Sequence, residues 1–233
     1  MKNITHQRPS DPLYGRTKFI TVFTNPKDIT GKVCLDIGCG YGWMEIFLLS
    51  KGVRHIVGIE LDPKDLETAK RHIKSKKVSF QVGSALALPF RNEIFDTVFC
   101  WDVIEHLPKG TEPKMFSEIY RVIKPTGSLY LSTPNSSLSA VLDPAFWITG
   151  HRHYTSDQLS LFAVASHFQI AKETIRGGWW DAIGLLNLYV SKWVFHRDLI
   201  FKDFFQKKLD EEFVSGKGFA NIFLKLQKLS AQT

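Results

Sequence analysis

Cysteine is scarce in this chain: three in 233 residues, Cys34, Cys39 and Cys100. An odd number without metal-ligand spacing argues against a disulfide framework and for a reduced, cytoplasmic protein. Cys34 and Cys100 fall in apolar strand-like runs, where a free thiol packs as a small hydrophobe. Long apolar runs are missing too. Met1 to Pro12 is polar and holds no apolar core of the kind a signal peptide carries. The most aromatic stretch, 179–215, is broken by Asp181, Asn187 and Lys192, too soon to span a bilayer. No internal repeat or low-complexity linker divides the chain. Its length suits one α/β domain over 1–233. Acids are outnumbered, 23 against 30 Lys and Arg, for a net charge of +7. Such an excess favours nucleic acid or an anionic membrane. Apart from Lys70 to Lys77, however, the basic residues are scattered, which reads as a solvated surface.

What the chain does have is concentrated at Val33-Cys34-Leu35-Asp36-Ile37-Gly38-Cys39-Gly40-Tyr41-Gly42. It reads as a buried strand entering a glycine turn, with a helix behind it. Glycine permits positive φ and lets a ligand approach the backbone closely. A dinucleotide site wants G-x-G-x-x-G, the third glycine letting the helix N-terminus take a pyrophosphate. Position 43 is Trp. That argues against a nicotinamide-dependent oxidoreductase and for a cofactor carrying adenosine without phosphates.

The segment Leu35 to Gly42 resembles the first motif of the class I S-adenosylmethionine (SAM)-dependent methyltransferases almost residue by residue. Later segments add to the resemblance: Glu118-Ile119-Tyr120-Arg121-Val122-Ile123-Lys124-Pro125, and Thr133-Pro134-Asn135. It covers roughly 30–176 and 218–228. It implies a Rossmann-like, doubly wound, mostly parallel seven-stranded α/β sheet with helices on both faces. Strands alternating with helices argue for the same layering. The resemblance also implies that Gly38, Cys39 and Gly40 lie under the methionine part of SAM. Asp36 would support the turn or the amino group.

Residues 56–59 form a second apolar run, ending at Glu60, 22 residues after Gly38. That is close to the ~20 expected before a ribose-binding acid, and Leu61 follows it. Asp62, before Pro63, reads as the cap of a helix from Lys64 to Lys74. Val78 to Val82 reads as a third strand. After it the family usually has Gly-Asp-Ala; here Ser84 replaces the acid, so the adenine contacts expected are the Ser84 hydroxyl and the Ala85 N–H. Phe95 to Trp101 reads as a fourth strand, which puts Trp101 and Asp102 near the sulfonium. A helix over Thr111 to Ile123 follows from its apolar spacing, then strands over Ser128 to Thr133 and Phe168 to Ile175 around a helix from Ser156 to His167. Gly218 to Gln227 would supply a last strand, usually antiparallel in this fold. Residues 179–215 are the departure, a helical insertion that caps an apolar acceptor, thickens the core or meets a membrane surface. Tyr14 to Phe23 has an apolar pattern that allows a helix over SAM.

Methyl transfer to a hydroxyl or acidic carbon needs a base, and His near its ordinary pKa suits that. His106 and His153, the latter in His151-Arg152-His153-Tyr154-Thr155, are the candidates. Asp102, Glu105 and His106 also resemble a segment of quinone O-methyltransferases that can hold a divalent cation, but spacing alone is weak and no metal is expected. No Pro-Cys pair exists, against the covalent route to 5-methylcytosine, and no Asn-Pro-Pro-aromatic follows the fourth strand, where amino-methylating enzymes carry it. The expected activity is SAM-dependent methylation of an oxygen or carbon on a small or lipid-like acceptor. An RNA or protein methyltransferase is the alternative, and peripheral membrane contact is compatible with the charge.

Overall fold

The structure is a computed structural model and describes residues 8–137, 150–196, 199–216 and 218–229. In chain order the elements are α1 (Gly15–Phe23), β1 (Val33–Ile37), α2 (Trp43–Ser50), β2 (His55–Glu60), α3 (Pro63–His72), β3 (Val78–Val82), β4 (Phe95–Trp101) and α4 (Glu112–Val122). They continue with β5 (Ile123–Pro134), α5 (Ser156–Ala165), β6 (Phe168–Arg176), α6 (Trp179–Tyr189), α7 (Lys202–Val214) and β7 (Asn221–Lys228). The seven strands form one sheet in the order β3-β2-β1-β4-β5-β7-β6. β7 runs antiparallel to both β5 and β6. β6 is therefore parallel to β5, and its C-terminal end lies with those of β1 to β5.

The central strands bury both faces, and alternation sorts their side chains. Leu35, Ile37, Val98, Cys100, Leu129, Leu131 and Leu224 pack with α4 and α5. Cys34, Phe99, Trp101, Tyr130 and Phe223 face the other way, against α1 and α2. Most of the large rings are on this second face: Phe19 meets Phe223 edge-on at 4.9 Å, and Phe99 stacks on Tyr130 at 5.5 Å. Phe213 of α7 belongs to the same cluster.

Local chemistry sets the helix ends. Asp62 accepts from Lys64 N at 2.9 Å with Pro63 in the first turn, and Lys70, Arg71 and His72 close α3 against its dipole. Thr155 and Gln158 form a reciprocal capping box at the start of α5. Several boundaries differ from the sequence reading, three of them for visible reasons. α3 stops two residues early, at His72. β5 starts at Ile123 because that residue pairs with Phe95 across a bulge. β7 starts at Asn221, opposite Pro134.

Candidate functional site

The glycine turn is held by the end of β2. Gly38 N and Cys39 N both donate to Ile59 O, at 2.8 and 3.0 Å, and Gly40 N donates to Glu60 Oε2 at 3.2 Å. Gly38, Gly40 and Gly42 all have positive φ. A Cβ on Gly38 would stand 2.5 Å from Val103 Cγ2, whereas a Cβ on Gly40 would meet nothing within 4 Å. Gly38 therefore serves packing, and Gly40 leaves open space where the motif places a ligand. Gly42 lets α2 approach α3, since a Cβ there would lie 2.7 Å from Ile73 Cδ1.

Glu60 stands at the C-terminal end of β2, with Oε1 accepting from Leu61 N at 2.7 Å and Oε2 from Gly40 N. Two backbone donors fix its rotamer. Each oxygen keeps a further lone pair for a ribose hydroxyl. Leu61 beside it is an exposed apolar side chain, suited to one edge of an adenine. At the end of β3, Ser84 Oγ accepts from Leu86 N at 3.2 Å. Its O–H and its second lone pair are what it can offer a purine. Ala85 is buried next to it.

Asp36 is not the acceptor of the turn: among the described residues it accepts none of the turn N–H groups, which Ile59 and Glu60 take. It is buried near Glu45 of α2. Burial pushes the Asp36 carboxyl well above the usual range, and the charges of Glu45 and Glu60 add to this. Glu45 is fully buried with neither carboxylate oxygen partnered among the described residues, and burial raises it to about 8. Glu45 beneath the turn thus holds a proton near neutral pH. Burial also keeps the Cys39 thiol neutral.

Trp101 packs against Phe23, Phe99 and Tyr130, and its Nε1 is buried without a partner among the described residues. It combines core packing with an open donor at the end of β4. Asp102 follows at positive φ, an uncommon backbone for a non-glycine. Its Oδ1 accepts from Ser132 Oγ at 2.7 Å, and Oδ2 lies 3.2 Å from Arg16 NH1 of α1. Arg16 also donates to Asn221 Oδ1, and Asn221 Nδ2 donates to Asp181 Oδ2 at 2.6 Å. This chain of polar groups ties α1, β4, β7 and α6 together across the ends of the strands.

The histidines form a second cluster there. Arg152 pairs with Glu112 and donates to Ile104 O and Leu107 O at 2.9 and 2.6 Å. Tyr154 N donates to Pro134 O at 3.1 Å. These bonds fasten the 151–155 segment to the exits of β4 and β5. His151 Nε2 then lies 3.2 Å from His106 Nε2, with ring centroids 4.4 Å apart, and the His153 ring is 6.4 Å from that of His151. Although its side chain is exposed, local desolvation and the neighbouring His151 lower the His106 imidazole. His153 Nδ1 lies 3.2 Å from Asn135 O and donates to it, which makes Nε2 the lone-pair nitrogen. Glu105 is buried and accepts from Thr133 Oγ1 at 3.0 Å; burial and then Asp102 raise its carboxyl. Glu105, His106 and His151 offer ligand atoms within 4.8 Å of one another, and among the described residues these are the ones that could hold a metal ion.

A glycine turn held by a strand-end acid, at the carboxyl edge of a sheet with an antiparallel seventh strand, is matched in known proteins. The family of methyltransferase domains matches residues 34–127. Over these residues the chain is similar to the class I SAM-dependent methyltransferases. A ubiquinone biosynthesis O-methyltransferase from Dechloromonas aromatica is 34% identical over 122 residues, 49% of this chain and 51% of that protein. A 24-methylenesterol C-methyltransferase from Arabidopsis thaliana is 28% identical over 167 residues, 69% of this chain and 39% of that protein. The chain thus spans about half or less of the curated relatives it matches. Among solved structures, a phosphoethanolamine N-methyltransferase from Haemonchus contortus in complex with SAM superposes with a TM-score of 0.65 at 20% identity, covering 93% of this chain and 53% of that one. The cofactor of this family is SAM. The open space at Gly40, the two lone pairs of Glu60 and the apolar lip at Leu61 fit it.

The sequence reading missed His151, Arg16, Asn221 and Asp181. Only His151 carried a signal, as the first histidine of its own motif. The other three meet through tertiary contacts between segments 205 residues apart at the extreme.

Proposed function

We propose that the protein transfers a methyl group from SAM to an oxygen or carbon of a small or lipid-like acceptor. Bound SAM would supply an electrophilic methyl on a sulfonium, already activated for in-line displacement. The protein's part is then to position two reactants, exclude water and take a proton. Gly38 to Gly40, Glu60, Leu61, Ser84 and Ala85 bind the cofactor in this reading, and Trp101 closes the site from the α1 side. His153 is the base. Its Nδ1 bond to Asn135 O orients the ring and presents Nε2. His106, in contact with His151 and with its imidazole lowered, is the second candidate. The relatives' activities, in ubiquinone biosynthesis and on a sterol, are compatible with an apolar acceptor. Three free, buried cysteines are compatible with the cytoplasm.

The observation that carries this reading is the Glu60 carboxylate fixed between Gly40 N and Leu61 N. The test is label transfer from methyl-labelled SAM into a total cell extract. Label should enter the organic-soluble small-molecule fraction, and His153→Asn should reduce the rate by roughly 10²–10⁴-fold with SAM affinity kept. Label found only in RNA or protein would contradict the acceptor class; the net charge of +7 is what favours that second reading.

A further inference from the structure

The insertion divides into two chemistries. Phe213 is buried in the aromatic face of the core, with Phe19 and Phe223. The inward side of α6 is also settled: Gly184 packs on Phe205 and Leu209 of α7, Trp180 meets Phe204 and Phe205, and Glu212 accepts from Trp180 N and Asp181 N, both at 2.9 Å. The outward side is apolar. Trp179, Ile183 and Leu186 recur at helical spacing, and Val194 extends the stripe through the π-turn that follows. With Phe195 and Phe201 these side chains are between 43% and 75% exposed. The stripe runs for about 20 Å at the ordinary helical rise. Isolated exposed apolar residues are common, but a continuous face of this kind marks an interaction surface.

The charged residues near it in sequence are mostly positive. From Ala182 to Lys202 the described residues include Lys192, His196 and Lys202 and no acid. Lys207 and Asp203 are both exposed further along α7. Arg197 and Asp198 offset each other in charge. Asp181, the acid at the start of α6, is turned inward onto Asn221. No helix among the described residues is long and apolar enough to cross a membrane. β6 being parallel to β5, α6 begins at the ligand-side end of the sheet.

We propose that the outward stripe of α6 docks the protein on an anionic bilayer surface, lying in the interface with Lys192, Lys202 and Lys207 toward the headgroups. An amphipathic face with cationic borders binds in this way, by buried apolar area plus attraction to anionic lipid. The inference rests on the reading of the acceptor as lipid-like, because docking there brings the acceptor's own phase to the mouth of the site.

The experiment is co-sedimentation of the full chain with phosphatidylcholine vesicles with and without phosphatidylserine, beside SAM calorimetry on the same samples. The protein should pellet with the anionic vesicles, less so as salt rises. The double variant Ile183→Glu/Leu186→Glu should bind at least about tenfold more weakly while its melting temperature and SAM affinity hold, since both positions are exposed. Val194→Glu alone keeps the test open should the double variant unfold. Equal pelleting with and without phosphatidylserine, or unchanged binding by the variants, overturns the proposal. So does a dimer in solution that the variants disperse, which would assign the stripe to a second copy. SAM binding retained without vesicle binding removes the docking alone; loss of both removes the methyltransferase reading as well.

Discussion

Glu45→Gln probes the acids beneath the glycine turn. Glu45 is fully buried, neither oxygen has a partner among the described residues, and burial raises it from 4.5 to about 8. Asp36, beside it, is raised as well. A raised carboxyl means that between about 4.5 and 8 the folded state holds a proton the unfolded chain has released. Stability contributed by that proton is fully present below 4.5 and is lost as pH rises through 8. At about 1.4 kcal/mol per pH unit the loss amounts to roughly 3–5 kcal/mol across that window. Gln has nearly the same shape and cannot ionise, so the variant should lose much less between pH 5 and 9. The assay is urea denaturation of both proteins at pH 5, 7 and 9, without SAM. Parallel stability curves for the two proteins would refute the reasoning, because they would mean that Glu45 titrates alike folded and unfolded.

The remaining predictions concern the cofactor, the insertion and the histidines. Glu60→Ala should weaken SAM by roughly 1.5–3 kcal/mol through loss of a charge-assisted bidentate bond, whereas Asp62→Ala should cost about 1 kcal/mol of stability as a lost helix cap and spare SAM; calorimetry and melting curves separate the two, and the reverse order would mean the wrong carboxylate. Phe213→Ala should cost roughly 3–5 kcal/mol in urea titrations, while Trp179→Ala, on the exposed stripe, should leave stability and SAM affinity within about 0.5 kcal/mol. Zn²⁺ or Mn²⁺ titrated calorimetrically should show whether Glu105, His106 and His151 hold an ion. If they do, His151→Ala abolishes the heat; a heat unchanged by that substitution places the ion elsewhere.

The parallel half of the sheet was legible because its strands carry their own punctuation. Val78–Val82 and Phe95–Trp101 were read with their observed bounds, each an apolar run closed by turn residues. The place of Glu60 beside the glycine turn was legible from its distance to Gly38, and the capping role of Asp62 from the proline after it. The direction of β6 was not legible from its own residues, since β7 inserts between it and β5 from beyond a long insertion. Asp36 misled for a related reason: a carboxylate beside a glycine turn suggests a turn acceptor, but the neighbouring strand supplies those acceptors, and that pairing is visible only in three dimensions. The insertion's composition signalled both core and surface because it is both, with Phe213 inward and Ile183 outward.

The account depends most on the glycine turn and Glu60 forming a SAM site. Titration calorimetry of the wild-type chain with SAM and with NAD, repeated with Gly40→Val, tests it most directly. A Cβ at Gly40 meets no protein atom within 4 Å but enters the ligand's space at a φ of +50°. SAM should bind the wild-type chain and NAD should not, and Gly40→Val should fold yet lose SAM binding. Near-normal SAM affinity in a folded Gly40→Val protein, or binding of NAD in preference to SAM, would contradict it.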